Sequence, residues 1–209
     1  MTRRWQIADA PTALQLHEIA KTLSTGLVVL MPTDTVYGFH ALALDADAVG
    51  RVTELKGREE TKPFIVLAAS MDQLQPLGIS AGRNELDALA SLWPAPLTAI
   101  LPLAAPIAAS RGGMTLAVRI PALGWLRDLI ARTGPLISTS ANRSGDPMVV
   151  DPILLPRELQ ERLDGIVDGG LRTGEPSTIV DLTSAEPHIL REGEVSFTQK
   201  VWKTLRKTL

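Results

Sequence analysis

The chain has 209 residues, a formal net charge of −2, 45% hydrophobic residues and no cysteine. That length can bury a sizeable core, and the lack of Cys excludes disulfides, thiol catalysis and Cys-ligated zinc. A net charge so close to zero argues against a chain made to coat nucleic acid or a membrane, so any basic surface is local.

His17, His40 and His188 are scattered, with no helical pair of the kind that binds zinc in metalloproteases. No apolar core follows Arg3-Arg4, so no export signal is read. The apolar run from Leu97 to Ala109 is short for a span and carries Pro102 and Pro106. A cytoplasmic protein without a membrane partner is expected.

In chain order, Pro11 stands near a helix start. Leu16, Ile19, Ala20 and Leu23 then repeat at helical spacing until Gly26. Leu27 to Met31 is a continuous apolar run, as in a strand covered on both faces. It empties into Pro32-Thr33-Asp34-Thr35-Val36-Tyr37-Gly38, read as a polar turn at a strand's carboxyl end, where open α/β sheets bind ligands. Asp45 caps a helix that carries Ala48, Val49, Val52 and Leu55 and ends at Lys56-Gly57.

Lys56, Arg58 and Lys62 fall between that helix and a buried strand from Phe64 to Leu67. Three cations within seven residues suit an anionic ligand, since Arg offers a planar fork and Lys a point charge. The same residues also suit a helix end paired with Glu59 and Glu60 at the surface.

A short helix is expected over Met71 to Leu77, and another through Leu86, Leu89, Ala90 and Trp93, stopped by Pro94. An extended stretch runs to Leu103, then a loop, expected to be mobile, from Ala104 to Gly113. Thr115 to Ile120 alternates, so Thr115, Ala117 and Arg119 share one face of a strand. Leu123, Leu126, Leu129 and Ile130 mark a helix ended by Gly134.

Pro135 to Ile137 is a short strand that opens into Ser138-Thr139-Ser140-Ala141-Asn142-Arg143-Ser144-Gly145, rich in hydroxyl and amide groups. Such a loop can receive phosphate oxygens or serve as a plain connector. A loop and helix from Pro152 to Leu163 and strands at Gly165 to Asp168, Thr178 to Leu182 and His188 to Arg191 follow. A last helix contains Phe197, Val201 and Leu205, with Lys200, Lys203, Arg206 and Lys207 as a solvated basic end. Helices mixed with strands predict one α/β domain with a mixed sheet.

No Walker loop or Gly-x-Gly-x-x-Gly stands in the chain, and no sharp nucleophile or base. Cations and hydroxyls on strand-end loops suit phosphoryl or nucleotidyl transfer, where positioning and charge neutralisation supply most of the catalysis.

The segments Pro32 to Gly38, Lys56-Gly57-Arg58, Trp93 to Thr98, Val118 to Pro121, Ser140 to Gly145 and Ser177 to Asp181 occur, in this order, as in the YrdC family. The chain resembles that family from about Leu27 to Gly193, with a C-terminal helix over 194–209. It resembles the short form, without a further C-terminal domain.

The resemblance implies a single α/β domain, 1–209, whose twisted mixed open sheet and flanking helices surround a large, positively charged concave cavity. It implies a threonylcarbamoyl-AMP synthase, which forms the activated intermediate for threonylcarbamoyladenosine in tRNA from L-threonine, bicarbonate and ATP with Mg²⁺. No protein metal ligand is implied.

By position, Thr35, Arg119, Ser138 and Ser177 match threonine-binding residues, Ser138 through its backbone. Arg58, Lys62, Thr115, Ser140, Asn142 and Arg191 match the ATP site, and Lys56 and Arg58 match the catalytic cations. Leu67, Met148 and Ala95 depart from the pattern, standing where relatives carry a His, a Ser and a Gly. The expected partner is a threonylcarbamoyltransferase complex that modifies tRNA, and direct contact with tRNA stays open. Alternative readings are a non-catalytic RNA-binding module of this fold and a related carbamoyl-adenylate-forming enzyme.

Overall fold

The computed structural model describes residues 2–57, 64–143 and 146–208. Arg58 and Lys62, on which part of the expected phosphate site rests, lie outside them.

The described strands form one mixed open sheet in a single α/β domain. They are β1 (Arg3–Gln6), β2 (Val29–Pro32), β3 (Tyr37–Leu42), β4 (Ile65–Leu67), β5 (Leu97–Pro102), β6 (Thr115–Arg119), β7 (Leu136–Ser140), β8 (Gly165–Asp168), β9 (Thr178–Asp181) and β10 (His188–Arg191). Their order is β1-β8-β2-β3-β7-β4-β6-β5-β9-β10. The parallel pairs are β1 with β8, β8 with β2, β4 with β6, and β5 with β9. The helices are α1 (Ala13–Ser24), α2 (Ala46–Lys56), α3 (Arg83–Leu92), α4 (Gly124–Thr133), α5 (Arg157–Glu161) and α6 (Val195–Thr208).

Strand alternation divides the core in two. Leu30, Phe39, Val66, Val118 and Ile137 turn to one face, where Val52 and Leu55 of α2, Leu89 of α3, Leu159 of α5 and Val201 and Leu205 of α6 cover them. Val29, Met31, Leu67 and Leu136 turn to the other, under Ile19 and Leu23 of α1 and Leu126 and Leu129 of α4. Gly38, His40, Ile65, Ser138, Ser140 and Arg119 fall on that second face by the same alternation. The part of the face that α1 and α4 leave uncovered becomes the cavity.

Local signals explain the helix ends. Thr12 makes a reciprocal capping box with Gln15, so α1 starts at Ala13, two residues after Pro11. The Asp45 carboxylate accepts from the Asp47 and Ala48 amides. Gly57 closes α2 at φ 65°, a left-handed conformation that a Cβ would strain. Glu194 caps α6 by accepting from the Ser196 hydroxyl and from the Phe197 and Ser196 amides, which together hold its carboxyl below the usual range.

Several expectations are corrected. Ala104 to Gly113 is not an open loop: Ala108–Ser110 forms a 3-10 turn, and Ala109 bonds to the backbone of Ala43 and Phe64. The short helix expected over Met71 to Leu77 is a 3-10 turn at Met71–Gln73. Residues Tyr37 and Gly38, read as turn, begin β3, and β1 escapes the sequence pattern altogether. Among the described residues, no helix is long and apolar enough to cross a membrane.

Candidate active site

A concave cavity of about 260 Å³ opens on the uncovered face, between β3, β4, β6 and β7 and the segment that leads into β9. Thr35, Arg119, Ser138, Ser140, Ser177 and Arg191 all line it. Among its described lining residues there are two guanidinium groups and no carboxylate. A wider groove of about 930 Å³ lies at the amino ends of β1, β8 and β2, beside Arg3, Arg4, Lys21 and Arg51. It holds none of the residues singled out from the sequence.

Ser140, which lines one end of the cavity, anchors the Lys-Ser-Asn part of the signature, although Lys56 and Asn142 are not themselves lining residues. Lys56, in the last turn of α2, donates to the Ser140 carbonyl at 2.9 Å, to Ser140 Oγ at 3.3 Å and to Asn142 Oδ1 at 2.9 Å. Ser140 Oγ donates to Asn142 Oδ1 at 2.5 Å, and Asn142 Nδ2 donates to the Asp146 carbonyl. Residues more than eighty positions apart thus aim one ammonium at the carboxyl end of β7. Lys56 is 5% exposed, so its charge lies where water screens it poorly.

The other end is built on Arg119. Its Nη1 donates to Thr35 Oγ1 at 3.0 Å, and Thr35 in turn meets Thr33 Oγ1 at 2.9 Å. Nη2 lies 3.5 Å from Asp34 Oδ1, while Asp34 Oδ2 accepts from the Ala122 amide. Arg119 Nε and Asp34 Oδ1 have no hydrogen-bond partner although both are buried. The unpaired Nε is sealed from the cavity, but Arg119 as a residue lines it, and a guanidinium fork there suits a carboxylate ligand. Burial pulls the Arg119 pKa down, and Asp34 opposes that shift.

Arg191 closes this end from β10. A break in the β9–β10 register between Ile189 and Arg191 turns its side chain back onto Ser177, whose carbonyl and Oγ accept at 2.9 and 3.1 Å. Ser177 Oγ also meets Thr98 Oγ1 at 2.9 Å. Burial, then the neighbouring Arg119, lowers the Arg191 pKa.

Thr115 is not brought to this cavity. It shares a face with Arg119 but sits four residues away along β6, about 13 Å at strand rise. Met148 lines the cavity, whereas Leu67 is wholly buried under α4 and Ala95 is buried in the opposite core.

Sequence reasoning passed over His40. It stands opposite Ser138 on the neighbouring strand, is fully buried, and its Nε2 lies 3.2 Å from Ser138 Oγ. A Cβ at Gly38 would come within 3.0 Å of the His40 ring and 2.9 Å of the Thr139 carbonyl, so glycine makes room for the pair. Desolvation, followed by the Arg119 charge, lowers the His40 pKa from 6.5 to about 3.

In the unfolded chain His40 takes a proton below pH 6.5, whereas in the folded protein it stays neutral to about 3. Its contribution to stability is therefore complete above 6.5 and is lost as pH falls through that window, by up to about 1.4 kcal/mol per unit. Urea unfolding at pH 7 and pH 5 should show a smaller loss for His40→Gln than for the wild type. Equal losses would mean that His40 is not held neutral.

Fold and cavity together define an α/β protein with a hydroxyl- and guanidinium-lined cavity on the open face of a mixed sheet. The Sua5/YciO/YrdC family model, described as telomere recombination, matches residues 21–193. The chain belongs to that family. It is 39% identical to the threonylcarbamoyl-AMP synthase of Pyrococcus abyssi, over 80% of this chain and 51% of that one. It is 35% identical to the synthase of Bacillus subtilis, over 95% and 60%. The crystal structure of P. abyssi Sua5 with L-threonine superposes with a TM-score of 0.88 at 33% identity, over 98% of this chain and 62% of that one. The chain therefore spans roughly half to three fifths of these relatives' length.

Proposed function

We propose that this chain is a threonylcarbamoyl-AMP synthase of the cytoplasm. The observation that carries the reading is a single cavity lined by Ser140, to which Lys56 and Asn142 are bonded, and by the guanidinium-bearing Arg119 and Arg191. Family membership supplies the chemistry that unites them.

In this reading Arg119 takes the threonine carboxylate, with Thr35, Ser138 and Ser177 around the rest of the amino acid. Ser140, Asn142, Arg58 and Lys62 serve ATP, whereas Thr115, away from the cavity, is given no part. Arg191, bonded to Ser177, joins the two subsites. The threonine nitrogen forms a bond to the carbon of bicarbonate, and the C–OH oxygen leaves with the amine's proton as water. A carbamate oxygen then attacks the α-phosphorus, and the bond to the β-phosphate oxygen breaks to release pyrophosphate.

Lys56 and Arg58 offset the charge that gathers on the phosphates. Among the described residues no group of three His, Asp or Glu side chains could hold a metal. Mg²⁺ enters this reading with ATP, as part of the substrate, where it would supply charge neutralisation. The product passes to a threonylcarbamoyltransferase complex acting on tRNA.

Purified protein with ATP, labelled threonine and bicarbonate should release pyrophosphate only when both co-substrates are present, and should yield a threonine-bearing adenylate. Tight RNA binding with no pyrophosphate release under any amino acid would favour a binding module instead.

A further inference from the structure

We propose that His40 is a positioning residue that holds the Ser138 hydroxyl as hydrogen-bond acceptor for the α-amino group of the amino-acid substrate. The inference rests on the synthase reading and adds to it the device that receives the amine.

The described cavity lining contains no carboxylate to hold an ammonium group. Thr35 Oγ1 is already engaged by Arg119 and Thr33, and Ser177 Oγ by Arg191 and Thr98. Ser138 differs: its Oγ has one side-chain neighbour, His40 Nε2, and the residue lines the cavity. What Ser138 offers the ligand depends on the ring. A proton on His40 Nδ1 leaves Nε2 as acceptor of the Ser138 O–H, so the oxygen's lone pairs face the cavity. A proton on Nε2 would donate to Ser138 and leave its O–H as a donor.

His40 Nδ1 is buried without a hydrogen-bond partner at bonding distance, and the Gly38 and Val29 carbonyls are what a ring proton meets. The first arrangement is the one that suits an amine. With Nε2–H donating, one lone pair of the Ser138 oxygen is spent and its O–H adds a donor beside Arg119 and Arg191, whereas the first arrangement leaves both lone pairs to meet an N–H. The ring itself stays uncharged, since burial and Arg119 both oppose an imidazolium, while the Gly38 and Val29 carbonyls act in the opposite sense. His40 is thus too weak a base to take the amine's proton, and its part is to aim Ser138.

A neutral acceptor among guanidinium groups holds a free amine better than an ammonium, because desolvation and like charge disfavour the cation. The free amine is the form that can attack bicarbonate. Substrate binding would therefore deliver the nucleophile in its reactive state.

The test is calorimetric binding of L-threonine against 3-hydroxybutyrate, which is threonine without its amine. Wild type should prefer threonine by about tenfold or more, the usual scale of one well-placed hydrogen bond. That ratio should collapse in Ser138→Ala and in His40→Leu, fall no further in the double variant, and recover in part in His40→Gln. Equal weakening of both ligands, or an unchanged ratio, would overturn the proposal by reducing His40 to a packing residue.

Should His40→Leu fail to fold, Ser138→Ala and the ring tautomer carry the test. Nitrogen NMR of the ligand-free protein at pH 7 should find the His40 proton on Nδ1, and a proton on Nε2 would refute the arrangement. Absence of threonine binding by the wild type would overturn this inference and the synthase reading together. Threonine binding without pyrophosphate release would sink the synthase reading alone.

Discussion

Lys56→Ala is expected to lower kcat about a hundred- to a thousand-fold with little change in the KM for threonine. Losing one preorganised electrostatic partner in a poorly solvated site costs about 3–4 kcal/mol of barrier. In the synthase reading Lys56 is such a partner: its ammonium is held by the Ser140 carbonyl, Ser140 Oγ and Asn142 Oδ1, and the residue is buried at the end of α2. Charge on the phosphates redistributes as the α-phosphorus is attacked, so a cation there acts more strongly on the transition state than on bound ATP. Steady-state kinetics with ATP and threonine varied separately would show it. A normal kcat with a raised KM for ATP would mean that Lys56 only binds the nucleotide.

Arg119→Ala should act in two ways. In the synthase reading Arg119 holds a carboxylate that is present before and during reaction, so its loss should raise the KM for threonine far more than it lowers kcat. Its loss also strands Asp34, whose Oδ1 already lacks a hydrogen bond, in a buried site. Breaking a buried pair by removing one partner typically costs about 3–5 kcal/mol of stability. The variant should therefore unfold at clearly lower denaturant, and Asp34→Asn in the same background should restore part of that loss. Kinetics made at a temperature where the variant is folded separate the two effects. If Arg119→Ala raised only the KM for ATP, the two ends of the cavity would have to be exchanged.

The sequence by itself determined the elements whose signal is local. The stripe of α1, the Asp45 cap and Gly57 stop of α2, the apolar run of β2 and the alternation that puts Thr115, Ala117 and Arg119 on one face of β6 each depend on neighbours within a few positions. Motif order also reached the family, because a series of loop segments in fixed succession is a property of the chain alone. The model of that family matches residues 21–193.

Only the tertiary structure decided what depends on a distant partner. Arg3–Gln6 becomes a strand because β8 offers it a parallel edge, and Tyr37–Leu42 becomes one because β2 and β7 flank it, although Gly38 and His40 interrupt its apolar character. Lys56 meets Ser140 and Asn142 because the packing of α2 on the sheet brings them together. The same applies to function. A lone His beside a glycine says nothing in the sequence, but antiparallel register sets His40 against Ser138, and burial beside Arg119 fixes its charge state. Charge state and hydrogen-bond direction are properties of surroundings, and surroundings here are assembled from residues nearly a hundred positions apart.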